Sequence, residues 1–221
     1  MPTGLVQLER DIIGCERCLR LRDHCRQVAL VKRRAYLDQD YWGQPVPGFG
    51  DPNARLFLLG LAPGAHGANR TGRVFTGDRS GDWLFRALHQ AGFASQPTST
   101  RRNDGLTLHD CWVSASVRCA PPGNKPTPNE VRLCQPWLQR ELQLMPQVRI
   151  VVALGRLAFE NYLSLRGLSR GRFPFVHNQA HDAGLTLISS YHPSQQNTST
   201  GKLTEAMLRA VFEQAREILQ P

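Results

Sequence analysis

The sequence predicts a three-layer α/β/α fold around a central, mainly parallel, four-stranded sheet. The first indication is that short apolar segments alternate along the chain with longer segments of helical period. The second is that the apolar segments lack a polar face, which is typical of parallel strands covered by helices on both sides. With 221 residues, of which 41% are hydrophobic and 20% charged, the chain can bury one sizeable core. We therefore expect a single domain over residues 1–221.

The elements are expected in the following order along the chain. The predicted strands lie at 55–62, within 106–117, at 148–154 and at 185–191. The predicted helices lie at 5–28, 82–93, 127–145, 155–165 and 202–219. The clearest start signal belongs to the third helix, where Thr127 is the cap, Pro128 takes the first helical position and Glu130 closes a capping box. The crossovers between parallel strands should be right-handed.

The charge of the chain favours a polyanionic partner. Lys and Arg number 27 against 18 Asp and Glu, which gives a formal net charge of +9. The positive residues are spread along the chain and do not form a tail, so they indicate a basic surface of the kind that binds nucleic acid. The other explanation of the charge is a soluble protein that simply has a high pI.

No segment suggests a membrane or a secretory route. The longest nearly apolar stretch, Leu56 to Ala65, has ten residues and contains Gly and Pro, whereas a membrane span needs about 20. Three charged residues, Glu9 to Asp11, interrupt any apolar core of a signal peptide. We expect a cytoplasmic protein without a membrane partner.

Four of the six cysteines are candidates for a metal site. Cys15 and Cys18 form a C-x2-C pair, Cys119 precedes a stiff Ala-Pro-Pro segment, and Cys134 falls in the first turns of a predicted helix. Four thiolates hold either a tetrahedral zinc ion or a four-iron cluster, and the spacing does not distinguish them. The alternative is that Cys119 and Cys134 are small core residues. The remaining two, Cys25 and Cys111, are expected to be packing residues or free thiols.

Three polar, Gly-rich loops should lie together. They span 62–81, 118–125 and 192–201, and each follows the end of a predicted strand. In open α/β sheets, ligands bind outside the carboxyl ends of the strands. The sequence therefore predicts one site built from these three loops.

The same loops carry a family resemblance. Residues 60–78 are GLAPGAHGANRTGRVFTGD, residues 117–128 are VRCAPPGNKPTP, and residues 191–204 are YHPSQQNTSTGKLT. In sequence and order, these strings resemble the three active-site motifs of type B (family five) uracil-DNA glycosylases. The resemblance runs from Cys15 to Thr204.

The resemblance implies an activity, a cofactor and a partner. The activity is hydrolysis of the bond between deoxyribose and a deaminated base, which leaves an abasic site for base excision repair. The partner is DNA containing uracil or other deaminated bases, and the protein is expected to act as a monomer. The implied cofactor is a [4Fe-4S] cluster that ties the N-terminal helix to the loop after the second strand. Its ligands would be Cys15, Cys18, Cys119 and Cys134.

The resemblance also assigns roles to residues in the loops. Asp78 would position the attacking water, and His192 would donate a hydrogen bond to the pyrimidine O2. Phe75 would stack on the flipped base. Residues expected to contact the substrate or help position it are Gly60, Leu61, Ala62, His66, Asn69 and Asn197.

Each of the three main assignments has a structural alternative. Asp78 would instead be a helix-terminal Asp favoured by the helix dipole, although Asp82 is the expected cap. Phe75 would be an ordinary core residue, and His192 a hydrogen-bonded histidine at a strand end.

Two positions depart from other uracil-DNA glycosylases. Ala62 stands where the better-known enzymes have an Asp for the water. Ala115 stands where other families use an Asn to contact the polar edge of uracil. A pocket with fewer polar groups discriminates less between bases, so we expect hypoxanthine and other damaged bases to be accepted.

Three other functions compete with this interpretation. A non-catalytic iron–sulfur protein that binds nucleic acid is the main alternative. A zinc-dependent base deaminase needs a His/Cys-x-Glu with Pro-Cys-x2-Cys, a context that Cys15 and Cys18 lack. An electron-transfer iron–sulfur protein explains the cysteines but leaves the three loops without a purpose.

Overall fold

The computed structural model describes residues 2–220. The helices are α1 (Thr3–Ile13), α2 (Leu19–Val31), α3 (Ala68–Thr71), α4 (Arg79–Gln90), α5 (Pro128–Gln143), α6 (Arg156–Leu165), α7 (Gln195–Ser199) and α8 (Glu205–Leu219). The strands are β1 (Phe49–Gly50), β2 (Leu56–Gly60), β3 (Cys111–Ala115), β4 (Ile150–Leu154), β5 (Gln179–Asp182) and β6 (Thr186–Ser190). Short 3-10 helices lie at Arg34–Tyr36, Pro122–Asn124 and Arg170–Arg172.

The sheet has six strands in the order β1-β3-β2-β4-β6-β5. The four predicted strands are β2, β3, β4 and β6, and they form a parallel block at the centre. The prediction of a four-stranded sheet is wrong in extent, because β1 and β5 add antiparallel edges. β1 is only two residues long, and β5 has the polar sequence QAHD with no fully buried side chain. Neither segment has the apolar signal by which strands are found.

Helices cover both faces of the sheet, as the apolar strands predict. Along β2, Leu56 and Leu58 belong to one core cluster, which α4 and α8 complete. Phe57 and Leu59 alternate with them and belong to the second cluster, with α1, α2, α5 and α6. Both sets of side chains are 0% exposed. The three-layer arrangement therefore follows from a strand that is apolar on both sides.

The predicted capping box of α5 is confirmed. Thr127 Oγ1 accepts a hydrogen bond from Glu130 N at 3.2 Å, and Glu130 Oε2 accepts one from Thr127 N at 2.7 Å. Arg20 Nη2 donates to the same carboxylate at 2.7 Å. The start of α5 is thereby joined to α2, near the cysteines.

The single helix expected at 5–28 is wrong, because the chain breaks after α1. Gly14 ends α1, and Cys15 and Cys18 lie in the short loop before α2 begins. Glycine is a weak helix former, and the break places both cysteines in a loop. Among residues 2–220, no helix has the length and apolar character that a bilayer crossing requires.

Candidate active site

The loops after β2, β3 and β6 all leave the sheet at the carboxyl ends of its parallel strands, as predicted. These strands run parallel, and Gly60 at the end of β2 is the register partner of Ala115 at the end of β3. β6 lies on the far side of β4 in the same parallel block. The loop after β2 meets the loop after β6 where the rings of Phe75 and His192 lie 5.8 Å apart. Two of the three predicted site loops thus converge in direct contact.

Phe75 presents its ring from a strained backbone position. Its φ is +52°, a left-handed conformation that is uncommon outside glycine and costs about 1–3 kcal/mol. The next residue, Thr76, is 0% exposed, and its hydroxyl is hydrogen-bonded to Ser99 Oγ at 2.7 Å. Arg73 Nε donates to the same hydroxyl at 3.0 Å. These buried hydrogen bonds hold Phe75 in its unusual conformation.

The ring of Phe75 lies directly over the end of β2. A Cβ at Gly60 would stand 2.9 Å from two carbon atoms of the ring, so the glycine allows this close approach. Ala115, beside Gly60, is 0% exposed and adds no polar group. The strand ends next to Phe75 are therefore compact and apolar.

His192 lies two residues after the end of β6 and is partly buried. The Asn197 side-chain amide donates to the His192 carbonyl at 2.8 Å and fixes the start of this loop. Burial lowers the pKa of His192 to about 4, so the ring is neutral at pH 7. Within the described chain, its ring nitrogens have no hydrogen-bond partner. A neutral imidazole with a free N–H is thus held beside Phe75.

Asp78 closes the loop after β2 and is the N-cap of α4. Its Oδ1 accepts a hydrogen bond from Gly81 N at 3.0 Å. Its Oδ2 lies against Gly67, where an added Cβ would collide with the carboxylate. In residues 2–220, no hydrogen-bond donor is paired with Oδ2. Burial raises the pKa of Asp78 above its usual value, against the opposing effect of the Gly81 N–H.

The helix cap expected at Asp82 is wrong. α4 begins at Arg79, and Asp82 is an exposed residue of its first turn. Both aspartates are favourable at a helix N-terminus, so the sequence could not decide between them. Asp78 serves as the cap and still keeps one carboxylate oxygen free of protein donors.

Arg70 fastens the loop that carries Asp78, and the sequence analysis missed it. Its Nε donates to His66 O at 2.8 Å, and its Nη2 donates to Gly77 O at 2.7 Å. Its guanidinium lies 3.9 Å from the centre of the Tyr36 ring. The side chain is almost buried, and its charge acts to lower the pKa of Asp78. In the sequence, the structural role of Arg70 is indicated only by its position in a Gly-rich loop without an acidic residue next to it.

His66 and Asn69 lie on the same loop but in different surroundings. His66 Nδ1 is hydrogen-bonded to Tyr41 Oη at 3.0 Å, and burial, followed by the charges of Arg33 and Arg70, lowers its pKa. Asn69 is 0% exposed, and its amide donates to Cys25 O at 3.3 Å. Asn69 therefore joins α3 to α2.

Leu61 and Ala62 continue from β2 into the loop. Val117 N donates to Leu61 O at 2.9 Å, just as Ser116 N donates to Gly60 O at 2.9 Å. Ala62 is half-buried and borders the second core cluster. The backbone pairing of β2 and β3 thus continues past the strand ends as far as Leu61 and Val117.

The four candidate cysteines line one pocket. It is a narrow cavity of about 10 Å³ between the α1–α2 loop, the loop after β3 and the start of α5. Arg118 N donates to Cys134 Sγ at 3.3 Å, and burial raises the pKa of the Cys134 thiol to about 11. Among residues 2–220, no three His, Cys, Asp or Glu side chains are grouped closely enough to hold a single ion. Four thiols around one pocket are a donor set of the kind that holds zinc or an iron–sulfur cluster.

The other two cysteines lie outside this pocket. Cys111 is 0% exposed within β3, and Cys25 is 0% exposed beside Ala120, whose N–H donates to its sulfur at 3.2 Å. Both have the packing role that the sequence indicated.

Comparison with known proteins assigns the chain to a family. Residues 47–216 match the family model described as the uracil DNA glycosylase superfamily. The chain belongs to the uracil-DNA glycosylase superfamily. The matched residues include all six strands and the three site loops, so the Phe75–His192 contact lies in the part shared with the superfamily.

The chain also has relatives over almost its full length. It is 51% identical over 219 residues to a Type-5 uracil-DNA glycosylase of Mycobacterium leprae, which covers 97% of this chain and 96% of the relative. It is 48% identical over 211 residues to the Type-5 enzyme of Thermus thermophilus, covering 95% of each chain. A Type-4 uracil-DNA glycosylase of Sulfurisphaera tokodaii is 26% identical over 221 residues, covering 96% of this chain and 85% of that one.

A second concavity lies at the opposite edge of the sheet. Its volume is about 560 Å³, and residues that border it include Val148 and Leu185, just before β4 and β6. None of the predicted site residues lines it. Because the site loops follow the carboxyl ends of the strands, this concavity lies on the side of the sheet away from the candidate active site.

Proposed function

We propose that the protein is a monofunctional uracil-DNA glycosylase. It flips uracil out of DNA and hydrolyses the N-glycosidic bond, leaving an abasic site. Membership of the superfamily and similarity to Type-5 enzymes over almost the whole chain support this activity. The structural observation that carries it is the contact of Phe75 with a neutral His192 at the carboxyl edge of the sheet.

Base flipping is required because the glycosidic bond is inaccessible inside a duplex. Extrusion costs a few kcal/mol and is easiest at a mispair. Stacking of the extruded base on Phe75 would return about 1–3 kcal/mol. Since Phe75 is only 8% exposed, we expect the loops after β2 and β6 to separate slightly as the base enters.

His192 stabilises the leaving base. When the bond between C1′ and N1 breaks, the electron pair stays on the base and charge accumulates at O2. The neutral imidazole keeps one N–H, which can donate a hydrogen bond to that oxygen. Such a donor, fixed before the reaction, typically contributes about 100–1000-fold to the rate.

Asp78 holds the attacking water and stabilises the sugar cation. Oδ1 is committed to the α4 cap, while Oδ2 is free to accept a hydrogen bond from water. The water oxygen forms the new bond at C1′, and its proton is released toward the carboxylate. Arg70 keeps this loop in shape through the carbonyls of His66 and Gly77.

The remaining site residues position other groups or influence which bases are accepted. Asn197 positions His192 through its backbone, and Asn69 supports α3 from within. Ala62 and Ala115 supply no polar group for a base edge. We propose that this apolar lining admits hypoxanthine and other damaged bases as well as uracil.

The cysteine pocket is proposed to hold a [4Fe-4S] cluster. Its ligands would be Cys15, Cys18, Cys119 and Cys134, which line one pocket. When bound, the cluster supplies covalent links that tie the α1–α2 loop to the core, and no reaction step uses it. A visible absorption spectrum and an iron and sulfide analysis of the purified protein test this assignment.

The activity is tested on duplex DNA that carries one uracil. After incubation, one half of the sample is treated with hot alkali and both halves are resolved on a denaturing gel. Strand cleavage at the uracil only after alkali shows a monofunctional glycosylase. Intact strands with the DNA still bound would support the non-catalytic nucleic-acid-binding protein instead. Sedimentation of the protein tests the expected monomer.

A further inference from the structure

A basic and apolar segment lies outside the part that matches the superfamily model. Residues 30–41, here called the basic strap, run from the end of α2 toward β1 and precede residue 47, where the match begins. Leu30, Val31 and Leu37 are 78%, 63% and 59% exposed. The cations of the strap are Lys32, Arg33 and Arg34. Within residues 2–220, none of these cations forms a salt bridge.

The strap is fastened to the loop that carries Asp78. Arg33 N donates to Tyr41 Oη at 3.3 Å, and the same Oη is hydrogen-bonded to His66 Nδ1 at 3.0 Å. Arg70 adds a second attachment, because its guanidinium lies 3.9 Å from the Tyr36 ring centre. The cations of the strap therefore stand beside the candidate active site and not on a detached surface.

The two acidic residues of the strap limit where a polyanion can bind. Asp38 and Asp40 are exposed and follow the three cations in sequence. Lys32 Nζ donates to Leu37 O at 3.2 Å and shapes the turn, which leaves Arg33 and Arg34 as the exposed, unpaired charges. A phosphate ligand would therefore bind at the Arg33–Arg34 end.

We infer that the basic strap binds the phosphate backbone of DNA next to the flipped nucleotide. Pairing Arg33 and Arg34 with phosphates releases counterions and adds affinity that helps to offset base extrusion. The strap's place beside the site loop favours the substrate DNA over an acidic protein partner. The position relative to the flipped nucleotide rests on the proposed glycosylase function.

The test compares two double variants. R33A/R34A removes the exposed charges of the strap. R149A/R166A removes the same charge from two exposed residues at the opposite edge of the sheet, which form no salt bridge in the described chain. Circular dichroism checks that both fold. Fluorescence anisotropy then gives the affinity of each for undamaged and uracil-containing duplexes over a range of salt concentrations.

The strap variant should bind both duplexes more weakly. Its slope of log affinity against log salt should be smaller than that of the wild type by about 1 for each phosphate that the strap no longer binds. Its excision rate at DNA concentrations below saturation should fall in proportion to its affinity. The control variant should keep a slope close to that of the wild type.

Equal slopes for the two double variants would overturn the inference. A lower excision rate at saturating DNA with an unchanged slope would also overturn it, because the strap would then act only by shaping the site loop. The undamaged duplex makes the two proposals separable. If the wild type fails to excise uracil, the glycosylase function fails, while the slopes still test the strap.

Discussion

The site loop and the cysteine pocket are built in opposite ways. The loop from Gly60 to Gly81 is held within itself by Arg70 and the Asp78 cap, and its buried Thr76 hydroxyl bonds to Ser99 outside it. The cysteine pocket is lined by residues from three separate segments. In the described chain, its four thiols are not grouped closely enough to hold a single metal ion. The site loop is thus fixed by hydrogen bonds of the protein itself, whereas the proposed cluster would add a further link between the segments that carry the cysteines.

The largest expected effect is on the site loop, from Asp78→Asn. Asparagine is as good an N-cap as aspartate, so α4 should remain folded while the water loses its carboxylate. We expect the single-turnover excision rate to fall by about 100- to 10,000-fold, with DNA affinity retained. Asp82→Asn, an exposed change in the same helix, should stay within a few-fold of the wild type. Equal loss in both variants would remove the water-positioning role of Asp78.

Replacing His192 should be almost as damaging. His192→Ala removes the N–H donor to O2, and we expect the excision rate to fall by about 100- to 1000-fold. His177→Ala changes another neutral histidine, one that stacks on Tyr191, and should mainly reduce stability. A His192→Ala enzyme with the wild-type rate would show that the base leaves without this donor.

Phe75→Leu should have an intermediate effect. Leucine keeps an apolar side chain over Gly60 but gives up the aromatic face, which is worth about 1–3 kcal/mol per stacked base. We expect kcat/KM for uracil in DNA to fall by roughly 5- to 150-fold. Phe93→Leu changes a fully buried phenylalanine away from the site loops and serves as the control for packing. Equal kcat/KM values for the two variants would mean that Phe75 is only a core residue.

The pH dependence should report Asp78 and not His192. The proposed mechanism uses the ionised carboxylate, and burial raises the pKa of Asp78, so the rate should fall about tenfold per pH unit below that raised value. His192, with a pKa of about 4, stays neutral through pH 6.5 and should cause no inflection there. An inflection near pH 6.5 that disappears in His192→Ala would contradict this assignment.

The lowered pKa of His192 also makes the stability of the folded protein depend on pH. The unfolded chain takes up a proton at His192 below about pH 6.5, whereas the folded chain does so only near pH 4. The contribution of the neutral ring to stability is therefore complete above pH 6.5 and is lost as the pH falls toward 4. Chemical denaturation at several pH values measures this effect against His192→Ala.

The smallest effect on excision should come from the cysteine pocket. Cys119→Ser should abolish the visible absorption of the cluster and loosen α1 and α2, which limited proteolysis would detect. The folded fraction should excise uracil at a rate within a few-fold of the wild type, because the site loop is held by the hydrogen bonds of Arg70 and Asp78. Cys111→Ala, which changes a fully buried cysteine in β3, should keep the absorption. Absorption that persists in Cys119→Ser would exclude Cys119 as a ligand.

The parallel core and the position of the site were predictable from the sequence. The observed strand ends at Gly60, Ala115 and Ser190 lie within two residues of the ends expected from the apolar segments. The capping box of α5 was equally clear, because its residues are adjacent in sequence. These features depend on local patterns, which a single sequence contains.

The rest depends on contacts between distant segments. β5 is too polar to be recognised, and it becomes a strand only because the edge of β6 is open for pairing. The role of Arg70 becomes visible only when Tyr36 and Gly77 are brought around it. The choice of Asp78 over Asp82 as the cap was set by the backbone between them, which the sequence does not specify.

In the proposed mechanism, Phe75, His192 and Asp78 act together on one flipped base. The most direct measurement is a crystal structure of the protein with a duplex that carries one 2′-fluorinated deoxyuridine, which resists hydrolysis. We predict a flipped uracil on the Phe75 ring, O2 within hydrogen-bond distance of a His192 ring nitrogen, and a water on Asp78 Oδ2. A base bound away from Phe75, or one with O2 turned from His192, would contradict the account.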